Sequence, residues 1–200
     1  MFKHETQVIK FLLQWYSMNA RKLPWRKKNN LNLPHPYFVF VSEYMLQQTT
    51  VNTVKNKFNE FILKWPSLNK LAQTSEPNIL EFWSGLGYYS RARNLLKSAK
   101  ILKDNFKNKI PETYDELIQL PGIGDYTAKA ILGIGYNKSV MPLDANIERI
   151  LVRLHAIDKP INKVKNKLKD LGKKFISDKY SSNLIQSFMD YGSEICLPRN

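Results

Sequence analysis

Segment after segment of this chain repeats its apolar residues at the spacing of one helix face, and glycine or proline separates the segments. Over 5–19 the repeat is carried by Val8, Phe11, Leu12, Trp15 and Tyr16, the i, i+3, i+4, i+7 pattern of an amphipathic helix. The same spacing predicts helices over 67–73, 77–84, 90–106, 113–119, 126–133, 145–155, 162–177 and 183–196. Residues 37–41 are aromatic and β-branched enough to pass for a strand. Their continuation SEYMLQQTTVNTVKNKFNEFILKW is helical, so 37–65 reads as one helix. Three prolines and a run of asparagines mark 22–36 as a loop. Strands do not alternate with helices, and there is no internal repeat. An all-α fold follows.

Charge narrows the partner. Lysine and arginine number 31 against 17 acids, a net charge of +14. Such a surface favours a polyanion, since each neutralised phosphate releases counterions; a solvated lysine-rich surface is the plainer reading. Lysines 163–179 alternate with Val164, Leu168, Leu171 and Phe175, which is the pattern of an amphipathic helix with a solvated outer face. No stretch reaches the ~18 uncharged apolar residues of a membrane helix. The first residues turn charged too early for a signal peptide. A cytoplasmic, nucleoid-associated monomer is expected. The single cysteine, Cys196, excludes a disulfide framework, and the three histidines show no metal-ligand spacing.

The string Leu120-Pro121-Gly122-Ile123-Gly124 lies between two short helical segments. Glycines suit a turn with positive φ or a close backbone approach. The free N–H groups of the turn and of the next helix, starting at Asp125 or Tyr126, form an anion site suited to a DNA phosphate. Two carboxylates stand in contrasting surroundings. Glu43 has Val39, Phe40, Val41, Tyr44, Met45 and Leu46 around it, so desolvation would favour its neutral form. Asp144 precedes a helical run, an N-cap position where the helix dipole favours the anion. A simple cap for Asp144 and a solvent-facing position for Glu43 are the plainer alternatives.

Four strings together resemble the adenine-specific DNA glycosylases of the helix-hairpin-helix superfamily, the MutY-like enzymes: LPWR at 23–26, SEYMLQQT at 42–49, GLGYYSRARN at 85–94, and LPGIGDYTAKAI with Asp144 beyond it. They run in the family's order and span nearly the whole chain. The related endonuclease III enzymes lack a glutamate at the position of Glu43. They also carry a lysine nucleophile at the position of Tyr126, so the resemblance implies a monofunctional glycosylase that releases the base and leaves an abasic site. It implies a six-helix barrel subdomain over 30–137, with the hairpin at about 113–136, and a second helical subdomain from 1–29 and 138–200. The implied substrate is double-stranded DNA with adenine opposite 8-oxoguanine or guanine, and the adenine is flipped out of the stack.

In that scheme Glu43 protonates adenine and Asp144 stabilises the cationic sugar, the two facing each other across the nucleotide. Tyr126 and Asn146 orient these groups. Arg26 and Asp190 line the adenine pocket. Gln48 and Tyr88 are inserted into the duplex, Thr49 and Leu86 touch the oxidised guanine, and Gly122 and Gly124 hold the phosphate. For Trp25, Tyr88 and Tyr89 core packing is the alternative. The family carries a 4Fe–4S cluster on four cysteines. Cys196, in EICLPR, matches the first, and the other three are not in this chain, so the cluster cannot be completed by it. The chain is therefore expected to be a piece of a longer protein rather than a shortened relative. Poor ordering of the last helix is expected to follow from the missing ligands, and a weaker preference for 8-oxoguanine from the absent C-terminal recognition domain. Two rival readings stay open: a mismatch thymine glycosylase of the same fold, and a DNA-binding module without activity.

Overall fold

The computed structural model describes residues 3–198, and the Arg199 that closes the EICLPR string lies outside them. The described residues form helices with no strand, apart from one isolated bridge between Lys28 and Pro34. The chain divides into two compact units. One is Leu23–Ile131; the other joins Met1–Lys22 to Leu132–Asn200. These divisions fall at 22/23 and 131/132, where the sequence reading put them at 29/30 and 137/138.

The unit Leu23–Ile131 is built around α2 (Pro36–Leu46). Eight of its eleven residues are buried, so this helix is apolar on nearly every side. Pro36 opens it and His35 caps it, its Nδ1 accepting the Tyr37 N–H at 3.2 Å. This settles 37–41 as helix rather than strand. Around α2 stand α3 (Val51–Lys64), α6 (Ser90–Asn105), α8 (Asp125–Ala130) and a 3-10 turn at Pro24–Arg26, with α4 (Leu68–Ala72), α5 (Glu76–Phe82) and α7 (Tyr114–Leu117) completing the unit. Thr50, Ser67 and Ser75 cap α3, α4 and α5 through their hydroxyls. Trp25 is core, packed edge-on to Phe58 at 5.5 Å.

One expectation fails here. Residues 37–65 are two helices, broken over 47–50, with Gln48 in the left-handed region at φ 58°. Thr50 starts α3 as its cap, and the end of α2 is held by a side chain from α6, described below.

In the other unit α11 (Ser181–Glu194) packs on α1 (Lys3–Asn19) and α9 (Ala145–Leu154), and α9 packs on α10 (Ile161–Lys173). A π-helical turn at Ile131–Gly135 follows α8, where a continuous α-helix to 133 was expected. Gly133 has no room for a side chain, because a Cβ would stand 2.2 Å from Ile185. In the last helix Leu184, Ile185 and Phe188 are fully buried. No helix among the described residues is long and apolar enough to cross a membrane.

Candidate active site

Glu43 sits at the middle of α2 and is only 7% exposed. At that exposure the solvent-facing alternative is excluded. The next residue bolts the hairpin to the same helix. Burial keeps the Tyr44 phenol protonated well above the ordinary tyrosine range. It donates to the Pro121 carbonyl at 2.5 Å and shares a 2.9 Å hydrogen bond with Ser98. Gln47 adds a bond to the Gly122 carbonyl at 3.2 Å.

The hairpin's two glycines have different reasons to be glycine. Gly122 has φ +81°, and a Cβ there would stand 3.0 Å from Asn94 and 3.1 Å from Tyr44. Gly124 caps α8 with φ −103° and has open space where a side chain would go. Its missing side chain leaves backbone exposed instead of admitting a neighbour. Tyr114 braces the turn by donating to Asp125 at 2.9 Å, and Lys129 pairs with Asp125 at 2.8 Å. Tyr126 is the second residue of α8 and is half-buried.

Gln48 and Thr49 occupy the break between α2 and α3, and Leu86 and Tyr88 the turn before α6. Gln48 is exposed, and Tyr88 (61%) and Tyr89 (42%) are exposed too, so neither tyrosine is core. The Leu86 side chain is buried. Thr49 donates to the Leu86 carbonyl at 3.3 Å, which joins the two loops directly. Arg26 ends the 3-10 turn and is half-buried.

Asp144, in the second unit, is the cap of α9. Its Oδ1 accepts the Ile147 N–H at 2.7 Å, and its Oδ2 accepts from Asn146 Nδ2 at 2.9 Å. Burial pushes its pKa up, and these bonds together with the Arg149 charge oppose that rise. Asn146 is fixed in turn by Arg149, which donates to its Oδ1 at 2.8 Å and to the Gly192 carbonyl. Gly192 lets α11 come this close, since a Cβ would meet Asn146 at 2.6 Å. Arg149 also donates to the Cys196 carbonyl at 2.7 Å. Asp190 is fully buried, accepting both the Arg21 backbone N–H at 3.0 Å and its Nε at 2.6 Å, a bridge that ties the end of α1 to α11.

Cys196 is half-buried, with Arg153 Nη1 3.1 Å from its sulfur. No group of three or more metal-binding side chains exists among the described residues. One thiol beside a cation does not by itself make the donor set of a four-thiolate cluster.

Three residues without an assigned role in the sequence reading matter here. Arg91 ties the two loops, Tyr44 the hairpin, and Arg149 the Asp144–Asn146 pair. A signal for Arg91 was available. It falls on the 91, 95, 98, 102 stripe, which is the buried face of α6, whereas Arg93 lies off it and pairs with Glu76 at the surface.

An all-helical fold with a glycine hairpin bolted to a buried acid-bearing helix defines a class, the helix-hairpin-helix proteins. Residues 41–174 match the family described as HhH-GPD superfamily base excision DNA repair protein, and the chain belongs to it. Among its relatives, an adenine DNA glycosylase of Buchnera aphidicola subsp. Baizongia pistaciae is 44% identical over 191 residues, covering 94% of this chain and 53% of the relative. The Homo sapiens adenine DNA glycosylase is 36% identical over 208 residues, covering all of this chain and 38% of the relative. The chain thus spans about half the length, or less, of these curated relatives. In fold it is similar to a thermostable thymine-DNA glycosylase, with TM-score 0.86 at 22% identity over 99% of this chain and 90% of that one. It is likewise similar to an endonuclease III caught as a covalent intermediate with DNA, with TM-score 0.78 at 18% identity over 100% and 91%.

Proposed function

We propose that this chain carries the catalytic part of an adenine DNA glycosylase, hydrolysing the N-glycosidic bond of adenine mispaired with 8-oxoguanine or guanine in duplex DNA. The observation that carries this reading is α2. One helix bears a carboxyl buried to 7% exposure, holds the hairpin through Tyr44 and Gln47, and ends in the loop with Gln48 and Thr49. A grip on the phosphate backbone, a proton donor and an inserting loop thus share one rigid support. The relatives' name and their 36–44% identity add the base.

In this mechanism the hairpin backbone around Gly124 takes a phosphate and sets the register without reading sequence. Gln48 and Tyr88 fill the space left by the extruded adenine, paying back part of the unstacking cost of a few kcal/mol. Buried Glu43 gives its proton to the leaving adenine, so that the base departs neutral. Asp144, held by Asn146 and the Ile147 N–H, stabilises the cationic sugar until water adds to it and passes one proton back to the Glu43 carboxylate. Tyr126 orients these groups and has no amine to attack the sugar, so the product is an abasic site in an unbroken strand. Arg26 lines the adenine pocket, and Thr49 and Leu86 face the opposite base; Asp190, fully buried against Arg21, holds its own unit together instead of lining the pocket. The chain works as a monomer on DNA in the cytoplasm.

The test is base release on three duplexes, carrying A opposite 8-oxoguanine, A opposite guanine and T opposite guanine. Adenine is expected from the first two and no thymine from the third, with alkali needed to break the strand. Thymine release, or strand cleavage without alkali, contradicts the reading.

A further inference from the structure

We propose that Arg91 is a positioning residue that fuses the Gln48 loop and the Tyr88 loop into one rigid wedge, so that both side chains enter a mispaired duplex in fixed register. This rests on the glycosylase reading above.

Arg91 is 5% exposed at the start of α6. Its Nη1 donates to the carbonyls of Tyr44 (3.3 Å), Met45 (2.7 Å) and Gln47. Its Nη2 donates to Thr49 Oγ1 (2.9 Å) and to the carbonyls of Leu86 (2.8 Å) and Gly87 (3.0 Å). All six acceptors are neutral oxygens, and they come from both loops. The first set are carbonyls at the end of α2, groups a helix leaves without partners and a cation satisfies well. The second set are the Thr49 hydroxyl and two carbonyls of the turn before α6. The guanidinium carbon also lies over the Trp83 and Tyr88 rings, 5.6 and 5.7 Å from their centroids.

Filling core volume does not require a cation, and burying one is costly. The two terminal nitrogens of a planar fork join the two loops at one point, while Nε is left without a partner, and lysine, with a single charged nitrogen, does not reproduce this. The backbone shows what the junction holds in place. Gln48 (φ 58°) and Tyr88 (φ 48°) are both in the left-handed region, with Gly85 (φ 88°) and Gly87 (φ 68°) beside Tyr88. Such non-glycine conformations persist where the surroundings over-determine them. Among the residues at positive φ are the two exposed ones assigned to insertion; the Arg91 side chain bonds the residues on either side of Gln48 and the two that precede Tyr88, and its backbone N–H donates to the Tyr88 carbonyl.

The test compares the full chain with Arg91→Lys and Arg91→Met, all well below melting. Amide exchange is read at 47–50 and 85–89, affinity on A:8-oxoguanine and matched duplexes, and distortion by 2-aminopurine fluorescence beside the mispair. In Arg91→Lys, exchange in both loops is expected to rise while the helices stay protected. Preference for mispaired over matched duplex falls at least about tenfold, the size of a lost charge-assisted contact. The fluorescence rise disappears, and binding to matched duplex is unchanged. A merely structural Arg91 gives the opposite pattern: a lower melting temperature with mispair preference and fluorescence as in the wild type, and that overturns the proposal. Should both Arg91 variants fail to fold, Thr49→Val removes one acceptor and the direct bond to Leu86, and faster exchange at 85–89 is again expected; unchanged exchange overturns the wedge. If the wild-type chain releases no adenine, the glycosylase reading falls, and the exchange data still decide whether Arg91 couples the loops.

Discussion

Asp144 caps α9, and a cap by itself would explain an aspartate before a helix. Asparagine caps about as well as aspartate, so Asp144→Asn separates the two roles. The variant is expected to fold normally, with its rate of adenine release at least about 100-fold lower, a general electrostatic loss of the size seen when one charge-stabilising group is removed. A cap alone would leave the rate unchanged. The stability trend is signed by the carboxyl's surroundings. Burial raises the folded pKa of Asp144 above its unfolded value, so its ionised form opposes folding above that pKa. Asp144→Asn should melt at the same temperature or higher at neutral pH. Its advantage should shrink as pH falls through the folded pKa toward the ordinary aspartate range. In the wild type, protonating Asp144 removes the sugar's counter-charge, so release should fall on the acid side at a pH above where an ordinary aspartate titrates. Melting curves and single-turnover rates across pH read both.

At the level of elements, most of the fold was legible because amphipathic stripes and capping residues agree. Ser67, Ser75 and Asp144 each stand where a helix begins. The break at 47–50 was not legible. Gln47, Gln48 and the threonines carry no glycine or proline, and what ends α2 there is Arg91, more than forty positions away in sequence. Tertiary contacts of this kind override local propensity, and they do so where the loop has work to do. Glu43 was legible as a desolvated acid among apolar residues, and packing around α2 bears this out. The hairpin gives a matched pair of outcomes. Gly122→Ala places a Cβ at positive φ against Asn94 and Tyr44, and should cost about 1–3 kcal/mol of stability. Gly124→Ala meets open space and should leave urea denaturation nearly unchanged while weakening duplex binding. Equal effects of the two on stability would refute the distinction.

Over the whole molecule, the charge of +14 bears on the proposed binding of duplex DNA. Arg149 belongs to this scale, since its bonds run from Asn146 to the Gly192 and Cys196 carbonyls and so link the Asp144 region to the end of α11. A basic surface predicts that duplex affinity falls steeply with salt, several phosphates' worth on a log–log plot. Release at saturating DNA should barely change. A flat salt dependence would show that the lysines are only a solvated coat. The buried acid on α2 is tested most directly by single-turnover adenine release from an A:8-oxoguanine duplex, with wild type and Glu43→Gln side by side and binding measured in the same buffer. Loss of the proton donor should slow release by about 10²–10⁴-fold with duplex affinity kept. Release by Glu43→Gln at the wild-type rate would contradict the proton transfer on which the proposed chemistry depends.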